Sequence, residues 1–310
     1  MGVTESQRGL AFGLGAYLLW GVFPLYFMLL EPTSPVEVLA NRILWSCVML
    51  FGLVVLGRRW SAIAPVLRDR RRLALLAAAS VTIALNWGFF IYGVTSDQVV
   101  QTSLGYFINP LVSVMFGVVL LHERLRRTQW VAVGLGGAAV TVLSFDYGHV
   151  PWLALVLALS FGSYGLLKKV LDMGAVESLS VETALLTPLA AAYLAYLVAT
   201  GNSAWSVVDP SMTLLLVSTG VVTIVPLLLF SAAATRIPLT WIGLLQYTTP
   251  VLQFATGVFL LNEPMPASRW VGFSLVWIAL VLLAVDSAAA VRRGRARTAL
   301  EIAERAQEAH

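Results

Sequence analysis

The chain has 310 residues, of which 59% are hydrophobic and only 12% charged, with a mean hydropathy of +0.84. A soluble chain carries roughly a quarter charged residues, so there is too little polar side chain here to coat a water-exposed globule. The net charge of +4 comes from basic residues beside apolar runs, which points to membrane topology rather than to nucleic acid. The lone Cys47 excludes an intrachain disulfide, and the scattered His122, His149 and His310 follow no ligand spacing, so no metal and no cofactor is expected.

In chain order, Met1–Ser6 fits a myristoylation pattern weakly, and a multi-span protein needs no such anchor. The apolar run from Leu10 to Leu30 is too long for a signal-peptide core and lacks a small-residue cleavage pattern, so it reads as a retained first span. A bilayer core of about 30 Å takes about 20 apolar residues per helix. Ten such segments follow one another, near 10–30, 36–56, 73–94, 99–121, 129–145, 151–167, 179–199, 212–234, 238–261 and 270–286. The expected fold is therefore an all-α integral membrane protein of ten transmembrane helices.

Basic residues orient these spans. With the N-terminus in the cytoplasm, that side receives eighteen of the twenty Lys and Arg residues, among them the cluster Arg58–Arg72, Arg124–Arg127, Lys168, Lys169 and the tail arginines from Arg292. Only Arg42 and Arg269 lie elsewhere, while the opposite loops hold Glu31, Asp97, Asp146, Asp209 and Glu263. This asymmetry follows the positive-inside rule and puts both termini in the cytoplasm.

Sliding the sequence by 140 residues lays Leu104–Leu143 over Leu244–Leu283 without a gap. Pro110 falls on Pro250, Gly117 on Gly257, Glu123 on Glu263 and Trp130-Val131 on Trp270-Val271. Apolar matches come cheaply in membrane spans, but paired Pro, Glu and Trp at one offset do not. Each half then holds five spans, so the second half enters the bilayer upside down. Residues 1–147 and 148–287 are read as two inverted five-helix repeats, and 288–310 as a basic cytoplasmic tail. Inverted repeats suit alternating access to a central site.

Several stretches resemble the RarD proteins of the EamA-type drug/metabolite transporter superfamily. They are Ala16–Gly21, Glu37…Asn41-Arg42…Trp45-Ser46, Asn86-Trp87…Phe90-Ile91, Ser103–Leu111, Glu123-Arg124…Gln129-Trp130, Val222-Thr223…Pro226-Leu227 and Gln246-Tyr247…Pro250. The resemblance implies ten helices, two inverted repeats and movement of small metabolites or drugs across the bacterial inner membrane, with export the favoured direction. The expected partners are a small-molecule substrate and the lipid bilayer. Proton or ion coupling and a homodimer are left open, and no nucleic acid is expected.

A charge within a span is a candidate functional group. Arg42 either faces a central cavity and holds an anionic group, or pairs structurally with Glu37. Glu37 and Glu182 are proton-coupling carboxylates or interfacial ones. Pro110 and Pro250 each free a carbonyl about one turn earlier, and in lipid that carbonyl must face protein or a wet cavity. Tyr106, Asn109, Gln246 and Tyr247 beside them are therefore assigned to the substrate cavity, together with Trp20, Asn86 and Trp87 near mid-span. Glu123 and Glu263 close matching spans as structural or gating groups. Arg124 or Arg127 is the expected partner of Glu123, and Arg269 that of Glu263. Lys168 and Lys169 read as cytoplasmic anchors.

An intramembrane enzyme would need a catalytic set that the spans do not carry, and no phosphate-binding loop supports ATP-driven transport. The alternative to a carrier is a non-transporting membrane sensor or scaffold. The topology is directly testable: a cysteine placed after Asp209 is expected to be labelled from outside the cell, and one in the Arg58–Arg72 loop from inside. Cytoplasmic labelling at both positions would break the span count and the inverted repeat together.

Overall fold

The computed structural model describes residues 4–121, 125–171, 173–205 and 210–308, and these are helical almost throughout. Nine stretches among them are long and apolar enough to cross a membrane. The first combines α1 (Glu5–Gly21) and α2 (Phe23–Met28); the next are α3 (Pro35–Leu56), α5 (Arg70–Thr95) and α6 (Val99–Leu121). The others are α7 (Arg127–Tyr147), α8 (Trp152–Leu171), α9 (Ala175–Ala199), α10 (Pro210–Ala234) and the first part of α13 (Ala267–Glu308).

Local chemistry explains where these helices begin. Thr4 and Gln7 form a capping box at α1, and Ser34 with Pro35 at N1 opens α3. Asp69 accepts from the amides of Arg71 and Arg72 at the head of α5. The Arg58–Arg72 segment also contains a short amphipathic helix, α4 (Trp60–Arg68), which buries Ile63 and Val66 against α5 and α9. Its arginines mask that periodicity in a reading directed at long apolar runs.

The expected ninth span, 238–261, is not among the nine long helices. It is broken into α11 (Leu239–Leu245), a turn at Gln246-Tyr247, α12 (Thr248–Ala255) and a π-helical turn at Thr256–Leu260. Pro250 has no N–H to return to the Gln246 carbonyl, and the break falls at that carbonyl. Pro24 acts likewise between α1 and α2, releasing the carbonyl of Trp20. The two interrupted stretches meet: the Gln253 amide donates to Trp20 O at 3.2 Å, and the Thr249 hydroxyl to Tyr17 O at 2.9 Å. Pro110, Pro188 and Pro226, by contrast, lie inside unbroken helices.

The chain divides into two compact units, Met1–Asn109 with Trp152–Met265, and Pro110–Pro151 with Pro266–His310. In the first, α3 lies at the centre, packed on α5, α9 and α10, while α5 packs on α8 and α1 packs on α10 and α12. Small residues permit these approaches. A Cβ on Gly105 would stand 2.8 Å from Ala154 O, and one on Gly220 would stand 2.7 Å from the Trp45 backbone.

In the second unit α7 packs along α13, with Leu111, Ala132, Ala279 and Leu283 between them. Ion pairs hold both ends of α7 against α13. Asp286 accepts from Arg126 at 3.1 Å and from Thr128 at 2.9 Å. Asp146 pairs with Arg269 at 2.8 Å and is bonded by Ser268. Arg269, expected beside Glu263, thus serves Asp146.

Gly220→Ala is expected to lower stability by about 1–3 kcal/mol through overpacking against the Trp45 backbone. Gly134→Ala, where nothing lies within 4 Å of the new methyl, is expected to leave the melting temperature of the purified protein unchanged. Equal melting temperatures for the two variants would contradict the close contact of α3 with α10.

Candidate functional site

Arg42 is seated on α3, two turns from its N-terminus, and is 4% exposed. Its Nε donates to Thr223 Oγ1 on α10 at 2.9 Å. The guanidinium lies over the Trp87 ring at 4.2 Å from the centroid, with Phe27 at 5.4 Å and Phe23 at 5.7 Å. Four elements therefore build one cage: α2, α3, α5 and α10. A charged residue at mid-bilayer costs about 2.5–3.5 kcal/mol on insertion scales. Desolvated cation–π contact returns about 2 kcal/mol, and a hydrogen bond to a charged group about 1.5–3 kcal/mol. The cage thus carries the charge with a single hydrogen bond.

The pair with Glu37 does not form. Glu37 is 3% exposed, and its Oε1 accepts from the Ala204 amide at 2.8 Å and from Ser203 Oγ at 3.1 Å. One helical turn on, Asn41 donates to Glu37 O and accepts from Trp205 Nε1 at 2.9 Å. Glu37 is accordingly a buried tether for the chain segment after α9 and not a counter-ion to Arg42.

A second polar group adjoins the cage. Asn86 donates to Leu157 O and Ser160 Oγ, both at 3.1 Å, and accepts from the Tyr106 hydroxyl at 3.2 Å. Edge-to-face rings connect the two groups, from Phe27 through Phe90 to Tyr106 at centroid spacings of 5.9 Å. Arg42, Trp87, Asn86 and Tyr106 therefore belong to one continuous cluster within the first unit.

The other expected cavity residues fall differently. Trp20 packs on Tyr17 and Phe230, and with Gln246 and Tyr247 it belongs to the region where α1 meets the broken α11–α12 segment. Asn109 is half-buried near the middle of α6. Pro250 makes a break and Pro110 does not. Glu263 reaches the start of α6, where its carboxylate accepts from the amides of Val99 at 2.6 Å and Val100 at 3.0 Å. An acidic group is unfavourable at the end of its own helix but favourable at another helix's N-terminus, which resolves the expected dipole conflict. Glu123 lies outside the described residues.

Glu182 is fully buried, accepting from Ser178 Oγ, from Tyr164 at 3.0 Å and from Lys168 at 3.0 Å. Lys168 is thus more than a surface anchor, and the Glu182 carboxylate is sealed inside the protein. Sequence reasoning missed Phe23, Phe27, Ser160 and the role of Thr223. The i, i+4 spacing of Phe23 and Phe27 around Pro24 was the available signal for the first two. Among the described residues no three His, Cys, Asp or Glu side chains converge as a metal site, so the cluster's chemistry is that of a guanidinium, an amide, hydroxyls and aromatic rings.

The model of the EamA-like transporter family matches residues 7–145. Protein RarD of Streptomyces exfoliatus is 51% identical over 295 residues, covering 95% of this chain and 93% of its own length. The chain belongs to the RarD family of EamA-like transporters. An "uncharacterized transporter" of Vibrio cholerae is 38% identical over 94% of this chain and 97% of its own. A crystal structure at 18% identity superposes with a TM-score of 0.55, over 89% of this chain and 96% of that one, and shows a shared fold alone. The chain is thus a multi-pass bacterial membrane protein, and three of its RarD-like stretches supply Arg42, Asn86, Trp87 and Tyr106.

Asn86→Ala removes two donated bonds and one accepted bond, leaving Ser160 and Tyr106 to find other partners. Its melting temperature is expected to fall further than that of Tyr106→Phe, which loses one hydrogen bond, worth about 0.5–1.5 kcal/mol. An Asn86→Ala protein as stable as Tyr106→Phe would show that the amide does not hold α5, α6 and α8 together.

Proposed function

We propose that this RarD-family chain carries a small organic solute across the bacterial inner membrane by alternating access, with export the favoured direction. The observation that carries this reading is the Arg42–Trp87–Asn86–Tyr106 cluster: a cation, an amide and aromatic rings gathered inside a bundle of membrane-length helices. Such groups are expensive in lipid and mark solute pathways.

On this reading the chain has ten spans, 238–261 being a discontinuous ninth, arranged as inverted repeats over 1–147 and 148–287 with a cytoplasmic tail at 288–310. The packing supports it. Exchanging each helix for the one five spans later turns the α5–α8 contact into α10–α1, α3–α10 into α9–α5, and α3–α5 into α9–α10, all of which occur. The α3–α9 and α7–α13 contacts map onto themselves. Discontinuous helices such as α1–α2 and α11–α12 are the usual lining of midplane sites in repeat-built carriers. Both termini are cytoplasmic on this reading, and flux is facilitated or ion-coupled.

Liposomes holding the purified protein are expected to move its solute without ATP. Tyr106→Ala and Gln246→Ala are expected to cut the rate by about tenfold or more if each removes one transition-state or binding interaction of about 1.4 kcal/mol, with membrane abundance near normal. Strict dependence on added ATP, or wild-type rates in both variants, would sink the reading.

A further inference from the structure

Four charged residues are buried among the described residues: Glu37, Arg42, Glu182 and Asp286. The three carboxylates are met by the protein's own groups: Glu37 by Ser203 and the Ala204 amide, Glu182 by Lys168, Tyr164 and Ser178, and Asp286 by Arg126 and Thr128. Arg42 differs. A guanidinium carries five N–H donors, and only Nε is used, on Thr223. The two terminal amino groups donate to no described protein atom, and no carboxylate forms an ion pair with them. Neither nitrogen is among the fully enclosed polar atoms without a partner, so each keeps some accessible surface.

The internal repeat sharpens the contrast. At the same 140-residue offset Val36-Glu37 falls on Val176-Glu177, Leu39 on Leu179, and Arg42 on Glu182. One position in each half thus places a charge at the same depth of α3 and α9. In the second half its counter-ion is built in, as Lys168. In the first half the fold supplies an aromatic floor of Trp87, Phe23 and Phe27 and, among the described residues, no counter-ion.

Resting on the transport reading above, we infer that the solute is an organic anion. Its carboxylate or phosphate is received in the fork of the two terminal amino groups of Arg42, and its apolar body lies against the surrounding rings. Planar, two-pronged recognition of oxyanions is what a guanidinium does and an ammonium does poorly. The aromatic surroundings disfavour a hydrated inorganic ion, which would have to exchange its water for rings.

The test uses the full chain in bacterial cells that lack a homologue, with untargeted mass spectrometry of medium and cell extract. The solutes that wild type exports or takes up are expected to be organic anions at neutral pH. Their redistribution is expected to fall about tenfold or more in Arg42→Gln, as for loss of a charge-assisted bond, and less in Arg42→Lys, with membrane abundance matched. Neutral or cationic solutes, or anion movement unchanged in Arg42→Gln, would overturn the inference and leave transport standing. No redistribution of any solute by wild type would instead overturn the transport reading, and this inference with it. The charge of the moved solutes is read from the wild-type chain alone, so the result stands even where Arg42→Gln does not reach the membrane.

Discussion

In hydrocarbon there is no water to meet a backbone N–H or C=O, so every interruption of a membrane helix has to be answered by another part of the chain. Proline makes this constraint concrete here. Pro24 removes the amide that would return to Trp20 O, and the protein answers with the side-chain amide of Gln253. One turn earlier, Thr249 meets Tyr17 O. The donors come from α12, which begins just past the break that accompanies Pro250. Two imperfect helices are therefore mutually required, and α1 is held against α12 by polar bonds where shape alone would permit sliding.

Charge obeys the same rule. The ends of the α7–α13 pair are held by Asp286 with Arg126 and by Asp146 with Arg269, and the start of α6 is held by the Glu263 carboxylate. Of these, the Glu263 carboxylate works at a helix N-terminus, where capping and the helix dipole both favour an anion. Glu182 and Lys168 extend the device deeper, linking α9 to α8 through a carboxylate with no solvent contact. Breaking such a buried pair leaves one uncompensated charge, so these residues bind the scaffold together and are poorly suited to exchange partners with a passing solute.

Much of this was legible in the sequence, because lipid imposes long apolar runs and puts basic residues on one side. Nine of the ten expected spans coincide with the long helices to within a few residues, from 36–56 against α3 to 212–234 against α10, and 238–261 does not. What was not legible depends on which helices meet. Glu37 and Arg42 are five residues apart on one helix, so they point to different faces. The Glu37 carboxylate turns to Ser203 and Ala204, while the guanidinium turns to Trp87 and Thr223. Phe23 and Phe27 read as apolar filler until α2 is seen to fold over Arg42. The amphipathic α4 was hidden for the opposite reason, its arginines marking a loop by charge while Ile63 and Val66 kept helical spacing.

If the chain is the repeat-built carrier proposed above, it faces a difficulty that the two buried charges address. Two equivalent halves make two equivalent half-sites, whereas most solutes have no two-fold symmetry. Here the α3–α9 and α7–α13 pairings map onto themselves when the halves are exchanged, while the residues at one repeat position carry opposite charges, Arg42 and Glu182. The anion is sealed by Lys168 and has become part of the frame. The cation retains its donors, and its aromatic floor compensates it only in part. On the proposed reading the chemistry of binding then resides in one half, and the pseudo-symmetry is left to the motion. On that reading, a backbone that rocks between two states does not have to reproduce its binding site in each half.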